Sequence, residues 1–412
     1  MSSLVYSTDT MFKLHFDNQI LEGVFVYDSD FGSFFITKWS TVDLPFLGIN
    51  HFKVLDNDLY MIINEEANYK IYSLKDDDKF MYLFVNQHDE KIDGIEYLSF
   101  DDFSNKVEDI SNVSFKALLA SVTHLPNGNY VIGNVGDYIK AIEELKRKYP
   151  LCEAFYRGHY SYKYTLVPSL YRKKKYYDNE SYMYMDFKTQ FYNELSNKKY
   201  IEILTTMQHY KMPTRLLDTT SNPLVALFMA CDKPQNYKNK GLGVGEVVVM
   251  NEAIRNVKYS DSNATTLLSS LAVLETNYKQ ELYEKILESK EKNDPSIYKN
   301  SIAYKRFVAE VQNELPYFDD TFFTPDVLLR PRHVKVGMIN ERIIAQSGSF
   351  ILFGLCNYVT GEYQHLNTVS KERIFIVHKE YIEEQLNMLN INSGTMYPDK
   401  DHISVSIMKS YE

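Results

Sequence analysis

The chain has 412 residues, of which 44% are hydrophobic and 24% charged, and its net charge is −10. That composition excludes a disordered or fibrous chain, and the acidic balance argues against sequence-independent nucleic-acid binding, which needs a dominant basic surface. The length exceeds the roughly 250 to 300 residues at which a single core stops growing, so two domains are expected. Cys152, Cys231 and Cys356 are far apart and have no CxxC spacing. They indicate neither a disulfide framework nor a zinc site, and a reducing cytoplasm fits best. The opening MSSLVYSTDTMFKLHF lacks the basic and apolar regions of a signal peptide. No run approaches the ~18 apolar residues of a membrane span, so a cytoplasmic protein outside the membrane is expected.

From Leu14 to Phe103, short runs rich in Val, Ile, Tyr and Phe are bounded by Asp, Asn and Gly. The alternation predicts successive strands joined by hairpins, hence a small β-rich domain over residues 1–115. Around Asp109 to Gly128 the pattern weakens, and a second domain is expected over 116–412. DYIKAIEELKRKYP predicts a helix with Ile139, Ile142 and Leu145 on one face, stopped by Pro150. CEAFYRG predicts a short strand. The stretch from Glu180 to Tyr210 predicts a long helix that Pro213 ends. Asn222 and Pro223 supply a cap and a first helical residue for LVALFMACD, which is apolar on every side and therefore expected to be buried. A strand follows from about Gly245. Next comes a helix through NATTLLSSLAVLETNYKQELYEKILESKEKN with Leu267, Leu268, Leu271 and Leu274 inward, then a helix near Tyr304 to Glu314 and a strand in SGSFILFG.

Several side chains suit chemistry better than packing. Arg157, in Tyr156-Arg157-Gly158, ends a core strand; its planar fork suits a pyrophosphate or a carboxylate, and Gly158 allows a ligand close to backbone. The alternative is a structural ion pair. Asp218, Thr219, Thr220 and Ser221 precede a helix start, where they either cap the first turn or help receive an anion. Arg215 either pairs with Asp218 or joins that anion site. His209 ends a helix, where it caps carbonyls, fills a gap or acts chemically. The basic, aromatic RKKKYY from Arg172 reads as a solvated turn rather than a nucleic-acid groove, with phosphate contact as the alternative. No Walker loop, HExxH or GxGxxG is present, so those chemistries lack direct support.

FYRGHYSYKYTLVPSLYR, QHYKMPTRLLDTTSNPLVALFMA and NERIIAQSGSF occur in that order. Together they resemble the FRG domain, over approximately Val131 to Val377, with LNMLNINSGTMYPDKDHIS similar to the tail of many members. The motif order is similar to the arginine and serine motifs of ADP-ribosyltransferases. The resemblance implies an α+β protein, its β-rich N-terminal domain followed by a mixed α/β FRG domain with an ADP-ribosyltransferase-like core. It implies a phage-defence or toxin-like effector that binds NAD or a related nucleotide without a metal, acting on a phage or host macromolecule as ADP-ribosyltransferase or NAD glycohydrolase. Arg157, Ser221, Gln346 and Glu341 would be its catalytic residues. Tyr156, Gly158, His209, Arg215, Asp218, Thr219 and Thr220 would hold the ligand. Gln346 stands in RIIAQSGSF where the transferases supply a glutamate, and Glu341 lies five residues earlier. Two alternatives stay open: a non-catalytic recognition module for a nucleotide, RNA or phage protein, and a metal-dependent nuclease built on Asp218, His209 and Arg157.

Overall fold

In a computed structural model, side chains are described for residues 130–162, 164–232, 245–321, 323–337, 340–360, 368–376, 379–400, 403, 404 and 408. Before residue 130 only the backbone of the strands is described. There the expected β-rich segment forms a ten-stranded sheet, including Met11–Phe16, Gln19–Asp28, Gly48–Leu55, Ala67–Asp77 and Phe80–Asn86. Most neighbours are antiparallel, but Met11–Phe16 runs parallel to Phe80–Asn86. The expected boundary at Asp109 to Gly128 lies outside the described residues except for two short strands. Ala117–Leu118 pairs within the first sheet and Thr123–His124 within the second.

The second sheet has nine strands, and its inner order is Tyr130–Ile132, Ser370–Ile376, Gly245–Ala253, Cys152–His159, Leu216–Thr220, Gly348–Leu352, Arg332–Lys335. Helices cover both faces, so a central strand must be apolar on both sides. GEVVVMNEA meets that demand. Val247 and Val249 enter one core while Val248 and Met250 enter the other. The described part is therefore an α+β domain, as expected. Arg157 and His159 lie two residues apart on the Cys152–His159 strand and so share a face with Phe155, whereas Tyr156 and Gly158 face the opposite way.

Several helices differ from the sequence expectation. In Val135–Lys148 the buried face is Tyr138, Ala141 and Leu145, while Ile139 is 41% exposed. Tyr138 fills that face because its ring is buried while its hydroxyl donates to the Pro223 carbonyl at 2.8 Å. The expected helix over Glu180 to Tyr210 is divided into Glu180–Gln190, Tyr192–Leu195 and Tyr200–His209. The helix expected from Asn263 divides into Asn263–Ser270 and Thr276–Lys292. At that break Ser269 and Ser270 donate to the carbonyls of Thr266 and Leu267, and the turn keeps Leu271 and Leu274 buried. Asp218, Thr219 and Thr220 belong to the Leu216–Thr220 strand and do not cap a helix. Asn222 does so, its side chain accepting from the Leu224 amide at 3.0 Å.

Two contacts lock the sheet to its helices. A Cβ on Gly158 would lie 2.0 Å from the Ala226 carbonyl oxygen and 2.8 Å from the Ala230 amide nitrogen. The glycine thus lets Pro223–Cys231 pack directly on the strand, and the space held for a ligand in the sequence reading belongs to this helix. On the other face, buried Arg215 donates to both carboxylate oxygens of Glu180, at 2.8 and 2.5 Å, and to the Phe353 carbonyl at 2.9 Å. Lys279 reaches the same carboxylate at 2.5 Å. Burial alone would raise the Glu180 carboxyl, but Arg215 and Lys279 outweigh it and hold its pKa down. This triad ties Glu180–Gln190, Thr276–Lys292 and the sheet end together.

Two predictions follow from this packing. Gly158→Ala forces helix and strand apart and should cost about 3 kcal/mol in urea denaturation; a loss below about 1 kcal/mol would mean the contact yields easily. His333 is buried, its ring is stacked on Phe155 at 4.2 Å, and neither ring nitrogen has a hydrogen-bond partner. Burial pushes its pKa down to about 3. An unfolded histidine titrates near 6.5, so the unfolded chain gains a proton that the native chain refuses. The stability due to neutral His333 is therefore present above pH ~6.5 and is lost as pH falls toward 3. Relative to wild type, His333→Leu should be about 2 kcal/mol more favourable at pH 5 than at pH 7.5. Equal effects at both pH values would contradict this.

Candidate functional site

Arg157 is a cation in the middle of a sheet, and its surroundings meet the cost of keeping it there. Its Nε–H donates to His159 Nε2 at 2.9 Å, and a terminal nitrogen donates to the Asp218 carbonyl. Because Nε2 accepts, the neutral imidazole carries its proton on Nδ1, which faces Glu246 Oε1 at 3.0 Å. Burial lowers the His159 pKa more than the Glu246 hydrogen bond raises it, which keeps the ring neutral. The other Glu246 oxygen pairs with Arg373. Arg373, Glu246, His159 and Arg157 thus form one chain of charge and hydrogen bonds across three adjacent strands. It aims the guanidinium toward Asp218, whose Oδ2 lies 3.9 Å from it.

Arg157 and Asp218 open into a cleft of about 290 Å³. Arg157, Asp218, Thr219 and Ser349 line it from the sheet; Gln208 and His209 come from the end of Tyr200–His209; Arg342 and Gln346 come from the segment before Gly348–Leu352. Arg172 and Lys211 complete the wall. Four cationic side chains therefore surround one carboxylate, in a chain whose overall charge is −10. Asp218 is 48% exposed and accepts from Gln208 Nε2 at 3.0 Å. Arg172 spends Nε and one terminal nitrogen on the Val167 carbonyl, at 3.2 and 3.0 Å, which orients the rest of its fork. Arg342 lies over the Tyr397 ring at 5.2 Å. Burial, then the charge of Arg342, lowers the His209 pKa, and its buried Nδ1 has no hydrogen-bond partner. Such an arrangement attracts anions, and the planar forks of its arginines suit groups that accept two hydrogen bonds side by side, such as phosphate and carboxylate.

Lys211 occupies an unusual backbone position. The helix Tyr200–His209 ends with the Met212 amide donating to the Met207 carbonyl and the Lys211 amide to the Gln208 carbonyl, both at 3.0 Å. This double bond pattern requires a left-handed residue, usually glycine, and Lys211 adopts it at φ 61°. A lysine is strained there, and this one belongs to the lining of the cleft.

The structure brings together some of the residues singled out from sequence and separates others. Arg157, His209, Asp218, Thr219 and Gln346 line one cleft. Gln346 is 8% exposed, and its Nε2 donates to the Met396 carbonyl at 3.0 Å, leaving Oε1 as its acceptor. Thr220 donates to the Gln346 carbonyl at 2.7 Å and braces that residue from behind. Ser221 is exposed, joins the Ser347 carbonyl through its amide at 3.1 Å, and does not line the cleft. Glu341 is exposed in the first turn of Glu341–Ala345 and is also outside the lining. Tyr156 faces the opposite core, Gly158 is a packing contact, and Arg215 pairs with Glu180 and not with Asp218.

Sequence reasoning missed His159, Glu246, Lys211 and Arg342, and placed Arg172 in a solvated turn with phosphate contact only as the alternative. His159 was legible at two residues from Arg157 on one strand face. Arg172 stands in a basic run that reads as a solvated turn, and only folding brings it beside Arg157. Among the described residues no group of three His, Cys, Asp or Glu side chains is placed to hold a metal ion. No helix there is long and apolar enough to cross a membrane.

The FRG domain family matches residues 152–239, a span that includes Arg157, Arg172, Gln208, His209, Lys211 and Asp218. The domain resembled by the first two sequence motifs is thus present, and the third motif, NERIIAQSGSF, lies outside the matched span. No curated protein and no solved structure matches the chain.

The strain at Lys211 separates stability from binding. Lys211→Gly should raise stability by about 1 kcal/mol by relieving the left-handed backbone. It should also weaken inorganic pyrophosphate binding about tenfold by removing one cation. Urea denaturation and titration calorimetry on the same variant check both; lower stability would show that the αL residue is not strained.

Proposed function

We propose that the cleft binds the phosphate groups of a nucleotide, with NAD or a related nucleotide as the ligand class. The observation that carries this reading is the gathering of Arg157, Arg172, Lys211 and Arg342 around a single carboxylate in an acidic chain. Arg157 is preset for the task by the Glu246–His159 chain, so little ordering remains to be done on binding. Thr219 and Ser349, hydrogen-bonded to each other at 2.8 Å, and the free Gln346 oxygen offer acceptors and donors suited to ribose hydroxyls.

Transfer of ADP-ribose, or hydrolysis of NAD, is the catalytic form of this proposal. The nicotinamide–ribose bond would break while positive charge develops on the sugar, and a carboxylate facing that carbon would stabilise it. Asp218 is the carboxylate that lines the cleft, which makes it a better choice for that role than exposed Glu341. Gln346 can hold a hydroxyl but carries no charge. The second reading is a recognition module that holds the nucleotide intact. It is favoured by the restraint of Asp218, whose side chain is already engaged by Gln208 and Arg157.

Titration of NAD into the full-length protein, with nicotinamide release followed by chromatography, tests both forms. Arg157→Ala should weaken NAD binding by about tenfold or more, with Arg157→Lys intermediate because it lacks the planar fork. Nicotinamide release that Asp218→Asn abolishes while binding persists establishes the catalytic form. Binding of intact NAD without release selects the recognition module. No binding of NAD, ADP or pyrophosphate at millimolar concentration would sink the phosphate reading.

A further inference from the structure

Phe191, which caps Glu180–Gln190, and Tyr210, which caps Tyr200–His209, present two partly exposed aromatic rings. Phe191 is 46% exposed and Tyr210 is 60% exposed. Their planes are parallel to within 2°, with centroids 6.3 Å apart. Buried Phe187 supports both, its ring 4.8 Å from Phe191 and 6.3 Å from Tyr210. Rings left in water forgo the free energy of apolar burial, and Phe187 holds this pair in place from below.

Neither ring lines the cleft itself, and the pair is tied to it through His209. Tyr210 stands between His209 and Lys211, both of which line the cleft, and its ring lies 5.1 Å from that of His209. The aromatic pair thus adjoins the cleft at the wall formed by His209 and Lys211. A phosphate alone has no use for the rings, and an apolar ligand has no use for four cations. A nucleotide uses both: its phosphates meet the cations and its base stacks on the rings.

We propose that Phe191 and Tyr210 form a stacking platform for the base of a nucleoside diphosphate whose phosphates occupy the cleft. The inference rests on the phosphate reading above and adds the feature that separates a nucleotide from inorganic pyrophosphate. The occupant is a free nucleotide and not a polynucleotide strand. The cleft holds about 290 Å³, and a chain of net charge −10 repels a long polyanion outside that local patch. Stacking tolerates any base, so the platform supplies affinity for the class without selecting one member.

The test is calorimetric titration of the full-length protein with ADP, with inorganic pyrophosphate and with a dodecamer of thymidylate. The proteins compared are wild type and the double variant Phe191→Ala, Tyr210→Ala. Wild type should bind ADP at least about tenfold more tightly than pyrophosphate, and the double variant should erase that advantage while binding pyrophosphate within about twofold of wild type. Preserved pyrophosphate binding also reports that the variant is folded. Equal wild-type affinities for ADP and pyrophosphate, or a variant that loses both alike, overturns the platform and leaves the phosphate site standing. Failure of both ligands on wild type overturns the phosphate reading and the platform with it. Tighter binding of the dodecamer than of ADP overturns the assignment to a free nucleotide.

Discussion

An arginine in the middle of a β-sheet is costly, and the geometry of the cleft follows from how that cost is met. Arg157 emerges from a strand flanked on both sides by others, with 16% of its side chain exposed. Burial lowers the guanidinium pKa and Asp218 raises it again, yet the group stays charged. What water no longer supplies comes from the Asp218 carbonyl of one neighbouring strand and from neutral His159 of the same strand, backed by Glu246 of the other neighbour. A different register would part these groups. The pairing of Arg157 with Val248 and of Tyr156 with Thr220 therefore serves the electrostatics as much as the sheet.

Arg215, set against the arginines of the cleft, shows how environment assigns a role. Arg215 is fully buried, bound through a bidentate pair to Glu180, and has no route to a ligand. It fixes helices to the sheet end, and removing one partner of such a pair leaves an uncompensated buried charge. Arg157, Arg172, Lys211 and Arg342 keep one side toward an open cavity. Their mutual repulsion is tolerated because solvent reaches them, and in the proposed reading an anion relieves it. The strained left-handed lysine follows the same logic: stability is given up locally where positive charge is wanted.

The glycine of the Tyr-Arg-Gly step divides the strand's two faces between two tasks. Side chains alternate, so the residue that turns Arg157 toward the cleft turns Gly158 toward Pro223–Cys231. The helix packs against the backbone there and fixes the strand's depth, hence the height at which the guanidinium enters the cleft. Tyr156 and Gly158, read from sequence as ligand contacts, support the site from behind the sheet.

Much of this was legible in the chain itself. Alternation of apolar residues marks the strands, Asn222 with Pro223 marks a helix start, and GEVVVMNEA marks a strand buried on both faces, because each signal is local and set by backbone geometry. The same locality explains the errors. Tyr138, not Ile139, faces the core because its hydroxyl finds a carbonyl 85 residues away, and Asp218 with its two threonines is strand because two strands distant in sequence enclose it. The sequence alone determined that Arg157, Asp218 and Gln346 stand in motifs suited to a polar ligand. Only the tertiary structure decided that Arg172, Lys211 and Arg342 join them while Arg215, Glu341 and Ser221 do not, since charge and burial depend on which distant segments the sheet brings side by side.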